Sequence, residues 1–120
     1  MISYNGSEYQ CSMELTLDII GGKWKALILW YLGENTLRFS ELKKTLPRVT
    51  PKMLTQQLRE LEERGLVTRY IYTQIPPKVE YSLTAAGKSL LPILASLCQW
   101  GQEFADAGGA EASGTVCRGK

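Results

Sequence analysis

The clearest helix signals in this sequence lie in TPKMLTQQLRELEERG, residues 50–65. Thr50 is a good N-cap, and Pro51 suits the first helical position because the N–H that it lacks would have no partner there. Leucines recur at 54, 58 and 61, the spacing of one helix face, and the glycine at 65 is typical of a helix end. The pattern predicts an amphipathic helix over residues 50–64 whose leucine face is buried.

The face of this helix opposite the leucines is polar and basic. Lys52, Gln56 and Arg59 lie on it, Thr55 flanks it, and Thr50 stands at its start. Side chains of these types bind phosphates and the base edges of the DNA major groove. On a helix without further context they are more often an ordinary solvated surface, so the neighbouring elements decide between the two interpretations.

Three helices are predicted on the N-terminal side. The second of them is apolar nearly all round, so we expect it in the centre of the domain. In chain order, the helices run from the N-cap Ser12 to Gly21-Gly22, from Lys23 to Leu32 and, after an extended piece at Leu37–Phe39, from the cap Ser40 to about Thr45.

A β-hairpin and a last helix are predicted on the C-terminal side. Residues 66–72 and 79–83 are strand-like, and the prolines at 76 and 77 between them cannot continue a ladder. Thr84 caps a long helix that Pro92 should kink. Two helices across a tight turn, followed by a hairpin, predict a winged helix-turn-helix, a mainly α fold with a small antiparallel β wing (α+β).

Length and composition place these elements in one domain. The chain has 120 residues, 44% of them hydrophobic, which is enough for one core and too little for two. We expect a flexible N-terminal segment over residues 1–10, the winged-helix domain over 11–105, and a disordered tail over 106–120, where Gly, Ala and Ser dominate.

The first and last helices carry more apolar surface than one small core needs. Met13 and Leu17 lie on the first, and Trp100 joins the stripe Leu90–Phe104 on the last. These residues could all fit inside one core, but a terminal amphipathic helix ending in aromatics favours a contact between subunits. We therefore expect a homodimer formed through the N- and C-terminal helices.

The sequence contains no segment that predicts membrane insertion. No basic region followed by an apolar run resembles a signal peptide. The longest apolar run, Ala26–Leu32, is far shorter than the roughly 20 residues that cross a bilayer. We expect a cytoplasmic protein without a membrane partner.

The net charge of +2 conceals an uneven distribution. Residues 1–20 carry three acidic groups and no base, for −3; residues 21–80 carry eleven bases and six acids, for +5; residues 81–120 carry three of each. The excess therefore falls on the predicted helix-turn-helix and wing, where DNA phosphates would be neutralised. Candidate phosphate contacts are Arg48 in the turn, Lys43 or Lys44 before it, Lys78 at the wing tip, and Lys23 and Lys25 at the start of the second helix.

Histidine is absent, and this excludes several kinds of site. No Ser-His-Asp or Cys-His pair and no His-containing zinc site can form. The three cysteines are an odd number, which excludes a complete intramolecular disulfide framework, and the absence of both His and a Cys-x-x-Cys motif argues against a thiol enzyme. We expect no enzymatic activity, no metal and no cofactor.

Several motifs in order resemble the HxlR-type family of bacterial transcriptional regulators. They span about residues 9–104 and comprise CSM (11–13), GGKW (21–24), LRFSEL (37–42), TPKMLTQQLREL (50–61) and PPKVEYSLT (76–84), followed by Gly87, Leu90, Leu94 and Trp100. The resemblance implies a homodimeric winged helix-turn-helix protein, related in fold to MarR-type regulators, that binds pseudo-palindromic operator DNA. In this family a repressor is more frequent than an activator.

The resemblance also bears on Cys11, because some members of the family sense electrophiles or oxidants through a cysteine at this position. From the residues alone, the start of a helix favours a thiolate, whereas Glu8 and Glu14 oppose it. A small residue packed beneath the first helix is the competing interpretation. Cys98 is expected in core or dimer packing, and Cys117, in the tail, is either passive or a partner for Cys11.

Two other functions remain open from the sequence. A regulator could bind a small ligand in the dimer cleft, with Cys11 structural, or a winged helix could bind proteins without binding DNA.

Overall fold

The computed structural model describes residues 1–109 and contains six α-helices and five short strands within that range. The elements are, in order, β1 (Ile2–Tyr4), β2 (Ser7–Tyr9), α1 (Ser12–Ile20), α2 (Lys25–Leu32), β3 (Leu37–Arg38), α3 (Phe39–Thr45), α4 (Pro51–Glu63), β4 (Val67–Tyr72), β5 (Lys78–Leu83), α5 (Ala85–Lys88) and α6 (Leu91–Phe104), followed by a π-helical turn at Ala105–Gly109. This is the predicted winged helix-turn-helix.

The core forms where α2 meets the helix-turn-helix. Ile28, Leu29 and Leu32 of α2 have no exposed surface, which confirms the central position predicted for this helix. The leucines at 54, 58 and 61 of α4 are buried against them together with Leu42 of α3. The buried stripe orients α4, because it leaves the opposite face of that helix towards solvent.

The wing is an antiparallel sheet of three strands in the order β3-β5-β4. β4 and β5 pair along their full length, from Val67 opposite Leu83 to Tyr72 opposite Lys78. The two-residue strand β3 joins β5 through Leu37 and Tyr81, so the start of α3 is attached to the wing.

The start of α4 has the predicted cap. The Thr50 hydroxyl accepts a hydrogen bond from the Met53 N–H at 3.1 Å, and Pro51 occupies the first turn. Leu46 and Val49 are buried in the connection from α3 and fix the angle between the two helices.

Three predicted helix starts differ from the structure by one or two residues. The N-cap of α1 is Cys11 rather than Ser12, and α2 begins at Lys25 rather than at Lys23. α3 begins at Phe39 rather than after Ser40, because the Glu41 carboxylate accepts a hydrogen bond from the Arg38 N–H at 2.7 Å and makes Arg38 the N-cap.

Residues 2–9 form a β-hairpin where the sequence predicted a flexible segment. The two-residue turn is Asn5-Gly6, whose φ angles of 53° and 81° are those of a type I′ turn. Asn-Gly is the strongest short signal for this turn, and the prediction overlooked it. The buried Tyr9 and its hydrogen bond to Asp18 hold the hairpin on α1.

The last predicted helix is broken rather than kinked. Thr84 caps the short α5 by accepting from the Gly87 N–H at 3.1 Å, and α6 starts afresh at Leu91. Pro92 therefore lies in a first helical turn, where its missing N–H costs nothing. Asp106 and Ala107, predicted as part of a disordered tail, continue the helix, and Gly108 departs from it with a φ of 108°; the tail beyond residue 109 lies outside the described residues.

Over residues 1–109, no helix has the length and apolar character needed to span a bilayer.

Candidate nucleic-acid interface

The outward face of α4 is polar and open to solvent. Lys52, Thr55, Gln56 and Arg59 are all exposed, as is the cap Thr50. These are the residues that the sequence assigned to this face. The structure thus brings the five predicted base and phosphate contacts of α4 onto one exposed surface.

The basic residues of the described chain divide into two groups. Five form ion pairs within 4.0 Å: Lys25, Arg64, Arg69, Lys78 and Lys88. The other seven within residues 1–109 form none: Lys23, Arg38, Lys43, Lys44, Arg48, Lys52 and Arg59. The second group lies on β3, α3, α4, the connection between these helices and the residues before α2, so the uncompensated charge follows the helix-turn-helix. We call this group the unpaired basic face.

Lys25 does not belong to that face. Its ammonium lies 2.6 Å from the Glu60 carboxylate and 3.0 Å from the Gln57 side-chain oxygen, and its side chain is only 13% exposed. The hydrogen bond from Lys25 is the main reason that the pKa of Glu60 is lowered. Lys25 therefore fastens α2 to α4 and is not available to a phosphate.

Lys23 and Arg48 lie close to each other although 25 positions separate them in sequence. Both line one shallow concavity with Trp24 and Pro47. The Lys23 ammonium lies 5.1 Å from the centre of the Trp24 ring, which restrains it without neutralising its charge. The two bases extend the unpaired basic face from α4 across the turn.

Lys78 is not at the tip of the wing, contrary to the prediction. It is the first residue of β5, opposite Tyr72 in register, and the tip consists of residues 73–77. Its ammonium lies 3.4 Å from the Glu80 carboxylate and 4.6 Å from the centre of the Tyr72 ring. The pKa of Glu80 is lowered first by the hydrogen bond from the Tyr72 hydroxyl. The positive charge of the wing is thus largely compensated.

Arg38 was missed as a candidate. It is exposed, unpaired in the described structure and placed at the N-cap of α3. The available signal was a basic residue in the extended segment just before the helix-turn-helix.

Cys11 is exposed at the N-terminus of α1. Its backbone is extended and its carbonyl accepts the first hydrogen bond of the helix, from the Leu15 N–H. Packing beneath α1 is therefore wrong for this residue. Cys98 is half-buried on α6 and lines a groove with Trp30 and Leu97, whereas Cys117 lies outside the described residues.

α4 follows a tight turn, buries one face and presents a basic outer face, and a three-stranded wing lies beside it. These features define a winged helix-turn-helix DNA-binding protein. Within that class, the chain belongs to the HxlR-like helix-turn-helix family, whose model matches residues 19–108.

Individual relatives agree with this assignment. YkvN of Bacillus subtilis (strain 168), an uncharacterized HTH-type transcriptional regulator, is 54% identical over 104 residues, which are 87% of this chain and 88% of YkvN. The redox regulator HypR in its reduced form superposes with a TM-score of 0.78 at 46% identity, over 81% of this chain and 96% of HypR. The reduced form of the transcriptional regulator YodB from B. subtilis has a TM-score of 0.71 at 33% identity, over 83% and 99%.

The protein is therefore an HTH-type transcriptional regulator with the MarR-like fold, and its relatives are regulators rather than enzymes. DNA binding follows from membership of this family.

Proposed function

We propose that this protein is a cytoplasmic homodimeric repressor that binds a pseudo-palindromic operator through α4. Thr50, Lys52, Thr55, Gln56 and Arg59 enter the major groove, and Arg48 and Lys23 hold the flanking phosphates. The wing, including Lys78, lies along the adjacent backbone. The carrying observation is the unpaired basic face, because the bases without acidic partners lie on the helix-turn-helix and on the residues just before α2 and α3.

The dimer rests on apolar surface that the core does not use. Met13 and Leu17 of α1 are 65% and 58% exposed, and Trp100 and Phe104 of α6 are 65% and 59% exposed. Exposed apolar patches of this kind mark interfaces between proteins. A two-fold dimer through these helices presents two copies of α4 to half-sites about one helical turn, ~34 Å, apart.

DNA binding is tested by fluorescence anisotropy with duplexes from the region upstream of the gene. We expect tighter binding to a duplex that holds an inverted repeat than to a scrambled duplex, and an affinity for both that falls as salt rises. A protein-interaction module would instead show no salt-dependent affinity for any duplex.

We propose further that Cys11 makes the repressor responsive to electrophiles or oxidants. Its exposure supports this, as does the similarity to HypR, for which both a reduced and an oxidized form are known. The thiolate would either add to an electrophilic carbon, with the adduct protonated by solvent, or form a disulfide with a second thiol; in that case the oxidant takes up two electrons, the proton of the second thiol and one proton from solvent. Either product alters the start of α1, which belongs to the proposed dimer interface.

The sensor role is tested with Cys11→Ser. We expect diamide or a quinone to release the wild-type protein from DNA and to leave the variant bound. If both release equally, Cys11 is not the sensor.

A concavity of about 430 Å³ between Trp30 and the start of α6 supports a second candidate, control by a small ligand. Under that candidate the Cys11→Ser variant stays inducible, so the same experiment separates the two.

A further inference from the structure

Four side chains from four elements meet at the C-terminal end of α4. Asp18 of α1 accepts hydrogen bonds on one oxygen, Oδ2, from the Tyr9 hydroxyl at 2.6 Å and from Arg64 Nη2 at 3.3 Å. The Arg64 guanidinium carbon also lies 5.6 Å from the centre of the Tyr4 ring. The N-terminal hairpin, α1 and the end of α4 are therefore joined through one carboxylate.

Arg64 is the residue that brings α4 into this contact. It is the C-cap of the helix, where a cation interacts favourably with the helix dipole. Its side chain is 21% exposed, and its Nη1 atom is buried without a hydrogen-bond partner among the described residues. The Arg64 side chain extends away from its own helix although its Nη1 atom has no hydrogen-bond partner among the described residues. Its contacts with α1 and the hairpin therefore hold it in this position.

A small movement at this contact, at the C-terminal end of α4, produces a larger displacement at the N-terminal end, where DNA binding is proposed. The helix has 13 residues, so it is about 20 Å long. A tilt of about 10° at its C-terminal end moves its first turn by roughly 3 Å, which exceeds the tolerance of a hydrogen bond. Lys52 lies in the first turn of α4 and Gln56 near its middle, whereas Arg64 lies at the opposite end of the helix.

We propose that Tyr9, Asp18 and Arg64 form a clamp by which the N-terminal hairpin and α1 set the position of α4, so that Arg64 is a positioning residue for DNA affinity. The inference rests on the proposed DNA binding through α4. It also connects Cys11 with DNA affinity, because Cys11 is the N-cap of α1 and lies between Tyr9 and Asp18 in sequence.

Asp18→Asn distinguishes loss of the clamp from loss of charge, because the first lowers the affinity for DNA and the second does not. Removal of a negative charge leaves affinity for DNA unchanged or raises it when only long-range electrostatics acts. Loss of the clamp lowers it, and we expect a loss of about fivefold or more, the usual lower range for coupling between sites. Glu8→Gln is the matched control, because it removes the same charge from an exposed position on β2.

The measurement is anisotropy on the inverted-repeat duplex at several salt concentrations, with thermal unfolding of each variant. We expect Asp18→Asn to bind more weakly than Glu8→Gln, with the salt slope of the wild type. Arg64→Gln should do the same, whereas a lost phosphate contact would lower the slope by about one. The double variant should bind no more weakly than the weaker-binding single variant, because both act on one contact: Asp18→Asn keeps an acceptor oxygen but removes the charge that attracts Arg64, and Arg64→Gln removes the guanidinium.

The clamp hypothesis is overturned if the Asp18→Asn variant binds DNA as tightly as the Glu8→Gln variant. It is also overturned if the loss of affinity in the double variant is the product of the two single losses. If Asp18→Asn fails to fold, Tyr9→Phe replaces it, since it removes only the hydroxyl, and equal affinity to wild type then overturns the clamp. A wild-type protein that binds no duplex overturns the proposed function and the clamp with it, whereas a wild type that binds beside an unaffected Asp18→Asn overturns the clamp alone.

Discussion

At the scale of single residues, the partners of each base decide what it can bind. The ion pair of Lys25 takes it out of the proposed interface and the ion pair of Lys78 offsets part of its charge, whereas Lys52 and Arg59 form no ion pair. Lys25 meets Glu60 across 35 positions of sequence, so its pairing depends on the packing of α2 against α4. Helical spacing could place Lys52 on the outer face of α4. It contains no information on a contact between residues 35 positions apart, such as Lys25 and Glu60.

We predict that Lys52→Ala weakens operator binding and lowers the salt slope by about one if Lys52 contacts phosphate. A base contact would instead reduce discrimination between the operator and a scrambled duplex. Lys88→Ala is the control, because Lys88 is equally charged but pairs with Glu34 away from α4. Equal losses in the two variants would contradict a specific role for Lys52.

Gly87 is expected to tolerate no side chain. A Cβ there would lie 2.2 Å from the Leu66 carbonyl oxygen and 3.2 Å from the Leu83 Cβ, and neither atom can move freely. We expect Gly87→Ala to lower the free energy of unfolding by at least about 1–3 kcal/mol, measured by urea unfolding at fixed protein concentration. Gly101→Ala, on an open helix face, should be neutral or stabilising by up to about 1 kcal/mol.

At the scale of elements, boundaries could be predicted where a local signal was complete. The cap and proline of α4 are both in the sequence, and the structure confirms that helix. The predicted start of α3 was less accurate, because Glu41 decides it by accepting a hydrogen bond from the N–H of Arg38, three residues earlier. The N-terminal hairpin has strands of three residues, too short to be stable alone, so its existence depends on the contact of Tyr9 with α1.

The cap of α4 should contribute to stability independently of DNA. Thr50→Ala removes the acceptor for the Met53 N–H, and we expect a loss of about 1 kcal/mol in the free energy of unfolding. Thr50→Ser retains the acceptor and should restore most of it. Equal losses in both variants would show that the hydroxyl does not cap the helix.

The hairpin should detach at both extremes of pH. The hydrogen bond between Tyr9 and Asp18 is the first cause of a raised pKa for Tyr9 and of a lowered pKa for Asp18, with Arg64 and Lys25 also lowering the latter. The carboxylate therefore stabilises the contact above its ordinary pKa of 3.8 and loses this effect as pH falls below it. The neutral phenol stabilises the contact below its ordinary pKa of 10.0 and loses this effect as pH rises above it.

The Cα carbon signal of Gly6 in nuclear magnetic resonance, which does not depend on an exchangeable proton, reports the hairpin directly. We expect it to shift in acid below about pH 3.8 and in alkali above about pH 10. In Tyr9→Phe the alkaline step should vanish. Its persistence in that variant would assign the alkaline step to another group.

At the scale of the whole molecule, the exposed apolar faces of α1 and α6 are the basis of the proposed dimer. Sequence periodicity predicted that these stripes exist, but whether they lie inside the core depends on how α2 fills it. The structure leaves Leu97 and Trp100 more than half exposed, because α2 and α4 already fill the core.

We predict that Trp100→Glu produces a monomer with weakened operator binding, measured by analytical ultracentrifugation and anisotropy. A charge in the interface has no partner there and opposes association. Ile75→Glu is the control for dimer formation alone, because Ile75 is 99% exposed but lies on the wing; this variant should remain a dimer. A dimer that survives Trp100→Glu at micromolar concentration would place the interface elsewhere.

The most direct test of DNA binding by a two-fold dimer through α4 is a hydroxyl-radical footprint of the wild-type protein on the DNA upstream of its gene. We predict two protected half-sites, related by an inverted repeat and centred about 10 base pairs apart or at a multiple of that spacing. The absence of protection on every duplex, or a single protected site without symmetry at saturating protein, would contradict it.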